Sequence, residues 1–182
     1  MRETWLETNR RALWFGTLPP LVFIGLGTWV TWNFASSELP WLKWLGVVMI
    51  AVGSCLVGAM LAHMRRPRIA YENGKVLFNL QNGAPIPVPV ELVEAFFIGQ
   101  GPLMIPGAPQ HDMSVNLVAR ISQRDPSYAR REVKPALGAW CDSYVTMRGT
   151  WCEPLSGEVV RRLNHRLREV SEERANSKAQ AN

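Results

Sequence analysis

Residues 12–64 decide the fold of this chain: ALWFGTLPPLVFIGLGTWVTWNFASSELPWLKWLGVVMIAVGSCLVGAMLAHM. No charged side chain occurs from Ala12 to Ser37, and none from Trp44 to Met64. A hydrocarbon core of about 30 Å needs roughly 20 helical residues, and the segments Leu13–Trp32 and Trp44–His63 both have that length. The alternative, a pair of buried helices in a soluble protein, predicts a polar face, and Val47–Met60 has none. The stretch therefore predicts a transmembrane helical hairpin over residues 12–64.

Tryptophans cluster at the ends of this hairpin. An indole combines an apolar ring with one N–H donor, and it therefore favours the headgroup region of a bilayer. Six of the eight tryptophans are predicted to lie at the membrane interfaces: Trp5, Trp14, Trp29, Trp32, Trp41 and Trp44.

Basic residues flank the hairpin on its outer sides. Arg10 and Arg11 precede it, whereas Arg65, Arg66 and Arg68 follow it, and the turn between the segments carries only Lys43 as a basic residue. The positive-inside rule therefore predicts that both termini are cytoplasmic. The first segment is expected to be retained rather than cleaved as a signal peptide, because its apolar run is too long and no small-x-small site follows it.

Small residues in the second segment predict its packing face: Gly46, Gly53, Ser54, Gly58 and Ala62. Such residues let two helix backbones approach closely. The sequence leaves open whether the partner is the first helix or another subunit, and packing within the hairpin is the simpler alternative. The spans hold no ionisable group apart from Cys55 and His63 at the edge, which disfavours a transporter or pump.

The chain after the hairpin predicts a β-rich domain over residues 65–170, with a basic lead at 1–11 and a disordered tail at 171–182. Asn73-Gly74 favours a tight hairpin turn. The expected strands are Arg68–Tyr71, Lys75–Leu80, Ile86–Val90 at an edge, Val93–Ile98, Asn116–Ser122, Ala129–Val133 and Ser143–Arg148. Pro154 is then expected to begin an amphipathic helix with its apolar stripe at Leu155, Val159, Leu163, Leu167 and Val170.

Two motifs resemble those of bacterial membrane proteins that carry a pleckstrin-homology-like (PH-like) domain. The run Ile86-Pro-Val-Pro-Val-Glu-Leu-Val-Glu-Ala is similar to an Ile-Pro-x-x-x-Ile-x-x-Val element of those domains, and Gly99–Ile105 resembles their glycine-rich link. The resemblance implies an α+β membrane protein: a two-helix transmembrane hairpin followed by a small PH-like cytoplasmic domain with a C-terminal amphipathic helix, in a bacterial inner membrane. The resemblance assigns a catalytic role to no residue of this chain.

The remaining signals favour a non-enzymatic interaction or scaffolding module. The net charge of +5 fits the lipid bilayer and its anionic headgroups as partners; no nucleic-acid motif accompanies it, and no metal or cofactor motif is present. A protein partner or a second copy would bind through Phe96-Phe97-Ile98 or the loop Pro102–Pro109, although that aromatic run also fits an ordinary core. The alternatives are an accessory subunit of a larger membrane complex, or a thiol enzyme that uses His111-Asp112 with Cys141 or Cys152.

Overall fold

A computed structural model describes residues 2–34, 40–81, 83–102 and 113–180 of the chain. It divides the protein into two compact units, one formed by Met1–Asn9 with Pro67–Asn182, and the other by Arg10–Arg66. The helical unit, Arg10–Arg66, is thus inserted into the chain of the other unit, which contains the strands and is called the β unit below. The architecture is α+β, as the sequence predicts: two long apolar helices, two antiparallel sheets and a C-terminal helix.

The helical unit consists of α1 (Arg10–Asn33) and α2 (Pro40–Met64). The helices are antiparallel, because Gly53 adjoins Pro20 and Ile24 whereas Gly46 adjoins Gly27 and Thr31. Trp14–Asn33 and Trp41–Ala62 are each long and apolar enough to cross a bilayer, with mean hydropathies of 1.2 and 2.4. Only 17% and 11% of the residues in their apolar windows are buried. A core helix of a soluble protein would be mostly buried.

The first sheet begins before the hairpin. Its strands are β1 (Glu3–Leu6), β2 (Ile69–Glu72), β3 (Lys75–Phe78) and β4 (Ile86–Pro89), in the order β1-β2-β3-β4. The expected turn is confirmed, because Asn73 and Gly74 adopt φ values of 49° and 78°. β4 lies at an edge, as its prolines predict. The basic lead is corrected in part: residues 3–6 are a strand, because Trp5 and Leu6 bury their side chains.

The second sheet consists of β5 (Val93–Pro102), β6 (Met113–Ile121), β7 (Gly138–Cys141) and β8 (Tyr144–Arg148), in the order β5-β6-β8-β7. The expected strand Ala129–Val133 is wrong. A 3-10 turn at Pro126–Tyr128 precedes that segment, and the strand is β7 instead. Trp140 explains the difference, because its ring is buried and its Nε1–H donates to the carbonyl oxygen of Tyr128 at 2.7 Å.

The last element is α3 (Gly157–Gln180), which begins three residues after the expected Pro154. The oxygen of Ser156 accepts from the backbone N–H of Val159 at 3.4 Å and caps the helix. Its buried stripe contains four of the five expected residues, Val159, Leu163, Leu167 and Val170. The fifth, Leu155, lies before the helix and is half-buried. The prediction of disorder from Ser171 onward is corrected as far as Gln180, the last described residue. Arg174 stabilises this last part of the helix, because its Nη1 donates to the Gly74 carbonyl oxygen at 2.8 Å.

The core of the β unit lies between the two sheets and α3. Side chains from every strand and from α3 contribute to it, including Leu6, Ile69, Phe78, Val88, Phe96, Leu117, Trp140, Met147 and Leu163. Two 3-10 turns complete the unit, Val90–Leu92 before β5 and Gly149–Trp151 after β8.

Candidate functional site

Glycines form the contact between α1 and α2. A Cβ atom built on Gly46 would lie 2.8 Å from the carbonyl oxygen of Gly27, and one built on Gly53 would lie 3.1 Å from that of Pro20. Real Cβ atoms essentially never lie as close as the distance at Gly46, and the distance at Gly53 is tighter than most real Cβ contacts. Gly46 and Gly53 are therefore the members of the predicted packing set that face α1.

The other members of that set face elsewhere. Ser54 and Ala62 are exposed, and a Cβ atom on Gly58 would meet nothing within 4 Å among the described residues. The expectation that Ser54, Gly58 and Ala62 pack within the hairpin is therefore wrong. One residue of helix corresponds to about 100° of rotation, so the face that contains Gly46 and Gly53 cannot also contain Ser54 and Gly58.

The predicted interface tryptophans separate into two groups. In the helical unit, Trp14, Trp29, Trp32, Trp41 and Trp44 are all exposed, as side chains in contact with lipid would be. Trp5 is instead only 4% exposed, and its ring stacks on Tyr71 with centroids 5.4 Å apart. The assignment of Trp5 to a membrane interface is therefore corrected. Trp5 is a core residue of the β unit, because β1 pairs with β2.

The predicted topogenic arginines also separate. Arg10 and Arg11 at the start of the helical unit, and Arg65 and Arg66 at its end along the chain, are exposed. Arg68 belongs to the β unit, where its Nε donates to the carbonyl oxygen of Trp151 at 3.0 Å. Burial lowers the pKa of this guanidinium. Arg68 therefore also has a structural role, because it joins the start of β2 to the turn after β8.

The cysteines do not form a catalytic arrangement within the part of the chain that the structure describes. Cys152 is buried, and burial raises the pKa of its thiol to about 12. Such a thiol stays protonated at neutral pH and is a poor nucleophile. Cys141 is exposed on β7. His111 and Asp112, the proposed partners of either thiol, lie outside the described residues, and the described residues contain no cluster of three metal-ligating side chains.

The outer face of the second sheet carries an apolar surface formed by the exposed side chains of Phe97 and Tyr144 and the half-buried side chain of Val118. Phe97 lies opposite Val118, and Tyr144 lies opposite Arg120, two residues further along β6. Phe97 and Tyr144 are each 46% exposed. The sequence pattern indicated Phe97 as a contact residue but not Val118 or Tyr144, although the alternation in β6 and β8 separates those two residues from the buried face.

The neighbouring residues clarify the predicted aromatic run. Phe96 points into the core and is 1% exposed, whereas Phe97 and Ile98 are roughly half exposed. Of the alternative contact loop Pro102–Pro109, residues 103–109 lie outside the described residues. An ion pair borders the apolar surface, because Arg120 Nε lies 2.9 Å from a carboxylate oxygen of Glu94. The combination of apolar side chains with a polar rim is typical of protein interfaces.

A charged cluster connects α3 to β1. The guanidinium of Arg166 donates to both carboxylate oxygens of Glu3, at 2.7 and 3.0 Å, and also to Glu169 at 2.9 Å. The hydrogen bond from Arg166 is the main reason that the pKa of Glu3 is lowered. Because all three side chains are more than a third exposed, solvent screens the cluster, and we assign it a structural role.

Comparisons with protein-family models, with curated proteins and with solved structures found no match to this chain.

Proposed function

We propose that this chain is a membrane-anchored interaction module, in which α1 and α2 cross a bilayer as a hairpin and attach a PH-like β unit to its cytoplasmic face. One observation carries the proposal: two exposed apolar helices are inserted between β1 and β2, which pair in one sheet.

The pairing of β1 with β2 constrains the topology. Leu6 is the register partner of Ile69, and the N–H of Arg68 donates to the carbonyl oxygen of Leu6 at 2.8 Å. Two segments that pair in one sheet lie on the same side of a bilayer. The intervening chain therefore crosses the bilayer an even number of times, which is what a hairpin does. Removal of the first helix by a signal peptidase would also detach β1, and with it the buried side chains of Trp5 and Leu6.

The architecture of the β unit supports the PH-like assignment. Two four-stranded antiparallel sheets enclose one core, and the C-terminal helix α3 contributes four side chains to it. The unit departs from the expected order in one respect, since its first strand precedes the hairpin instead of following it. The proposed fold is therefore a PH-like domain with a membrane hairpin inserted after its first strand.

The surface formed by Phe97, Val118 and Tyr144 is the proposed site for a protein partner. Aromatic side chains supply much of the binding energy in protein interfaces, and two exposed aromatic rings on one sheet face are an unfavourable arrangement in water. Phe97, Val118 and Tyr144 would act through contact with the partner and not through a chemical reaction.

Topology is the first test, and Cys141 is a natural probe for it. Cells that express the Cys55→Ala variant are treated with a membrane-impermeant maleimide before and after permeabilisation. We expect labelling of Cys141 only after permeabilisation, together with retention of the protein in membranes washed with alkaline carbonate. Labelling of Cys141 in intact cells, or release of the protein by carbonate, would overturn the proposal.

The binding surface is tested separately with a photo-crosslinking amino acid in place of Phe97. The matched control places the same amino acid at Arg168, an exposed position of α3. We expect a cross-linked protein adduct from position 97 and none from position 168, and we expect Tyr144→Ala to weaken that adduct. Equal adducts at both positions, or none at either, would contradict the assignment of this surface.

A further inference from the structure

Four arginines converge at one end of the helical unit. The antiparallel contacts set the register, since residues 16 and 60, 20 and 53, and 27 and 46 are neighbours. In such an antiparallel pair the residue numbers of facing positions add up to a nearly constant value, here roughly 75. Arg10 and Arg11 at the start of α1 therefore lie at the same end as Arg65 and Arg66, which follow α2. All four arginines are exposed. The other end of the unit carries Lys43 and the tryptophans Trp29, Trp32, Trp41 and Trp44.

The charge pattern at this end departs from the usual preference of helices. The N-terminus of a helix carries a partial positive charge and favours acidic side chains, but the first turn of α1 contains none and begins with Arg10 and Arg11. Between residues 10 and 66 the sequence has a single acidic residue, Glu38, in the segment that joins the two helices. The hairpin therefore brings four positively charged side chains together at one end of the helical unit.

We infer that this arginine end (Arg10, Arg11, Arg65 and Arg66) binds the headgroups of anionic phospholipids. The inference rests on the proposed function, because it requires that the hairpin lies in a bilayer. The apolar stretch from Trp14 to Trp32 has a helical length of about 27 Å, close to a hydrocarbon core, and the arginines follow directly at the depth of the phosphates. Guanidinium groups keep their positive charge at any physiological pH, and this charge attracts the phosphates of anionic lipids.

The other end of the hairpin fits a different surface. Four exposed tryptophans with one lysine are suited to any headgroup layer, because the indole ring does not require a charged lipid. The two ends of the hairpin are therefore expected to differ in lipid preference. The arginine end selects anionic lipid, whereas the tryptophan end accepts zwitterionic lipid. Each basic residue near an anionic surface contributes on the order of a fivefold gain in affinity, so even two of the four arginines are sufficient for a preference of roughly tenfold or more.

Native mass spectrometry of the full-length protein tests this inference. The protein is purified in detergent and incubated with an equimolar mixture of phosphatidylglycerol and phosphatidylcholine, and the two bound lipids are counted. We expect wild-type protein to retain phosphatidylglycerol with a preference of roughly tenfold. A variant with all four arginines changed to glutamine (R10Q, R11Q, R65Q, R66Q) should lose that preference. Lys43→Gln, at the tryptophan end, should keep it.

Two further measurements keep the result interpretable. Changing the same four arginines to lysine should preserve the preference, because it preserves the charge. The wild-type preference should also fall as salt is added, since exposed charges are screened over about 8 Å at 0.15 M. Equal retention of both lipids by wild-type protein, a preference that survives the glutamine changes, or its loss in the lysine variant would overturn the inference. Release of the protein by alkaline carbonate would instead overturn the proposed function, so the two failures are distinguishable.

Discussion

The side-chain amide of Asn164 forms two hydrogen bonds with the backbone of Phe96: Oδ1 accepts from the Phe96 N–H at 2.8 Å, and Nδ2 donates to the Phe96 carbonyl oxygen at 2.9 Å. Phe96 lies on β5, an edge strand of the second sheet. A helix side chain thus takes the place of a neighbouring strand. It satisfies backbone groups that would otherwise be available to pair with another chain.

Asn164→Ala removes both hydrogen bonds from a backbone whose side chain is buried. We expect the free energy of unfolding of the β unit to fall by about 1–3 kcal/mol, because the Phe96 groups lose their partner. Chemical unfolding of the detergent-solubilised protein, followed by tryptophan fluorescence, measures this. Arg168→Ala on the exposed side of the same helix is the control and should have little effect; equal stability of the two variants would contradict the role of Asn164.

Trp5→Ala tests the corrected position of β1. The substitution leaves a cavity between Tyr71 and Phe96, and we expect a loss of about 3–5 kcal/mol in the free energy of unfolding. Trp14→Ala, which changes an exposed ring of the helical unit, should leave the unfolding of the β unit unchanged. If the two variants unfolded alike, Trp5 would lie outside the core.

The ion pair of Glu3 with Arg166 predicts a dependence of stability on acid pH. The pKa of Glu3 is lower in the folded protein, chiefly through its hydrogen bond with Arg166, so its contribution is present above the unfolded pKa. It is lost as the pH falls through the folded pKa. Since both side chains are partly exposed, the contribution is expected to stay below about 1 kcal/mol.

Thermal unfolding at pH 7 and pH 3 measures this contribution. Glu3→Gln should lower the melting temperature at pH 7, and this deficit should shrink at pH 3, because the stabilisation is lost as the pH falls through the lowered folded-state pKa of Glu3. When combined with Glu3→Gln, Arg166→Gln should change this pH dependence further only through Glu169, whose pKa is lowered chiefly by its hydrogen bond with Arg166. An equal deficit of Glu3→Gln at both pH values would show that the charge of Glu3 is not involved.

Two glycines of α2 offer a matched pair for the hairpin contact. Gly46→Leu places a side chain against Thr31 and the backbone of Gly27, and such overpacking typically costs about 1–3 kcal/mol. Gly58→Leu enters open space and should be tolerated. Loss of helical signal on heating in detergent, measured by circular dichroism, should occur earlier only for Gly46→Leu. The reverse order would place the α1 contact on the Gly58 face.

The two thiols of the β unit should differ strongly in reactivity. Cys141 is exposed, whereas the pKa of Cys152 is raised to about 12 by burial. In the Cys55→Ala background, a thiol reagent at pH 8 should modify one cysteine in the folded protein and a second only after denaturation. Cys141→Ala should abolish the fast reaction. Rapid modification of Cys152 in folded protein would contradict its burial.

Local patterns account for the elements that the sequence predicted well. The charge-free lengths of α1 and α2, the Asn73-Gly74 turn and the alternation in Leu117, Ala119 and Ile121 each depend on neighbours within a few residues. The edge position of β4 was also predictable, because Pro87 and Pro89 lack a donor. The strand that was wrongly predicted at Ala129–Val133 shows where local patterns fail. The burial of Trp140, which belongs to the actual strand, depends on a hydrogen bond to the Tyr128 carbonyl twelve residues away.

Residue patterns along the chain were sufficient to predict two helices that are long and apolar enough for a bilayer, together with a β-rich unit and an amphipathic C-terminal helix. Three features became apparent only in the folded chain: β1 belongs to that unit, Gly46 rather than Gly58 faces α1, and Asn164 covers the edge of β5. The physical reason is distance along the chain. Glu3 and Arg166 are separated by 163 positions, and no local periodicity reports a contact between them.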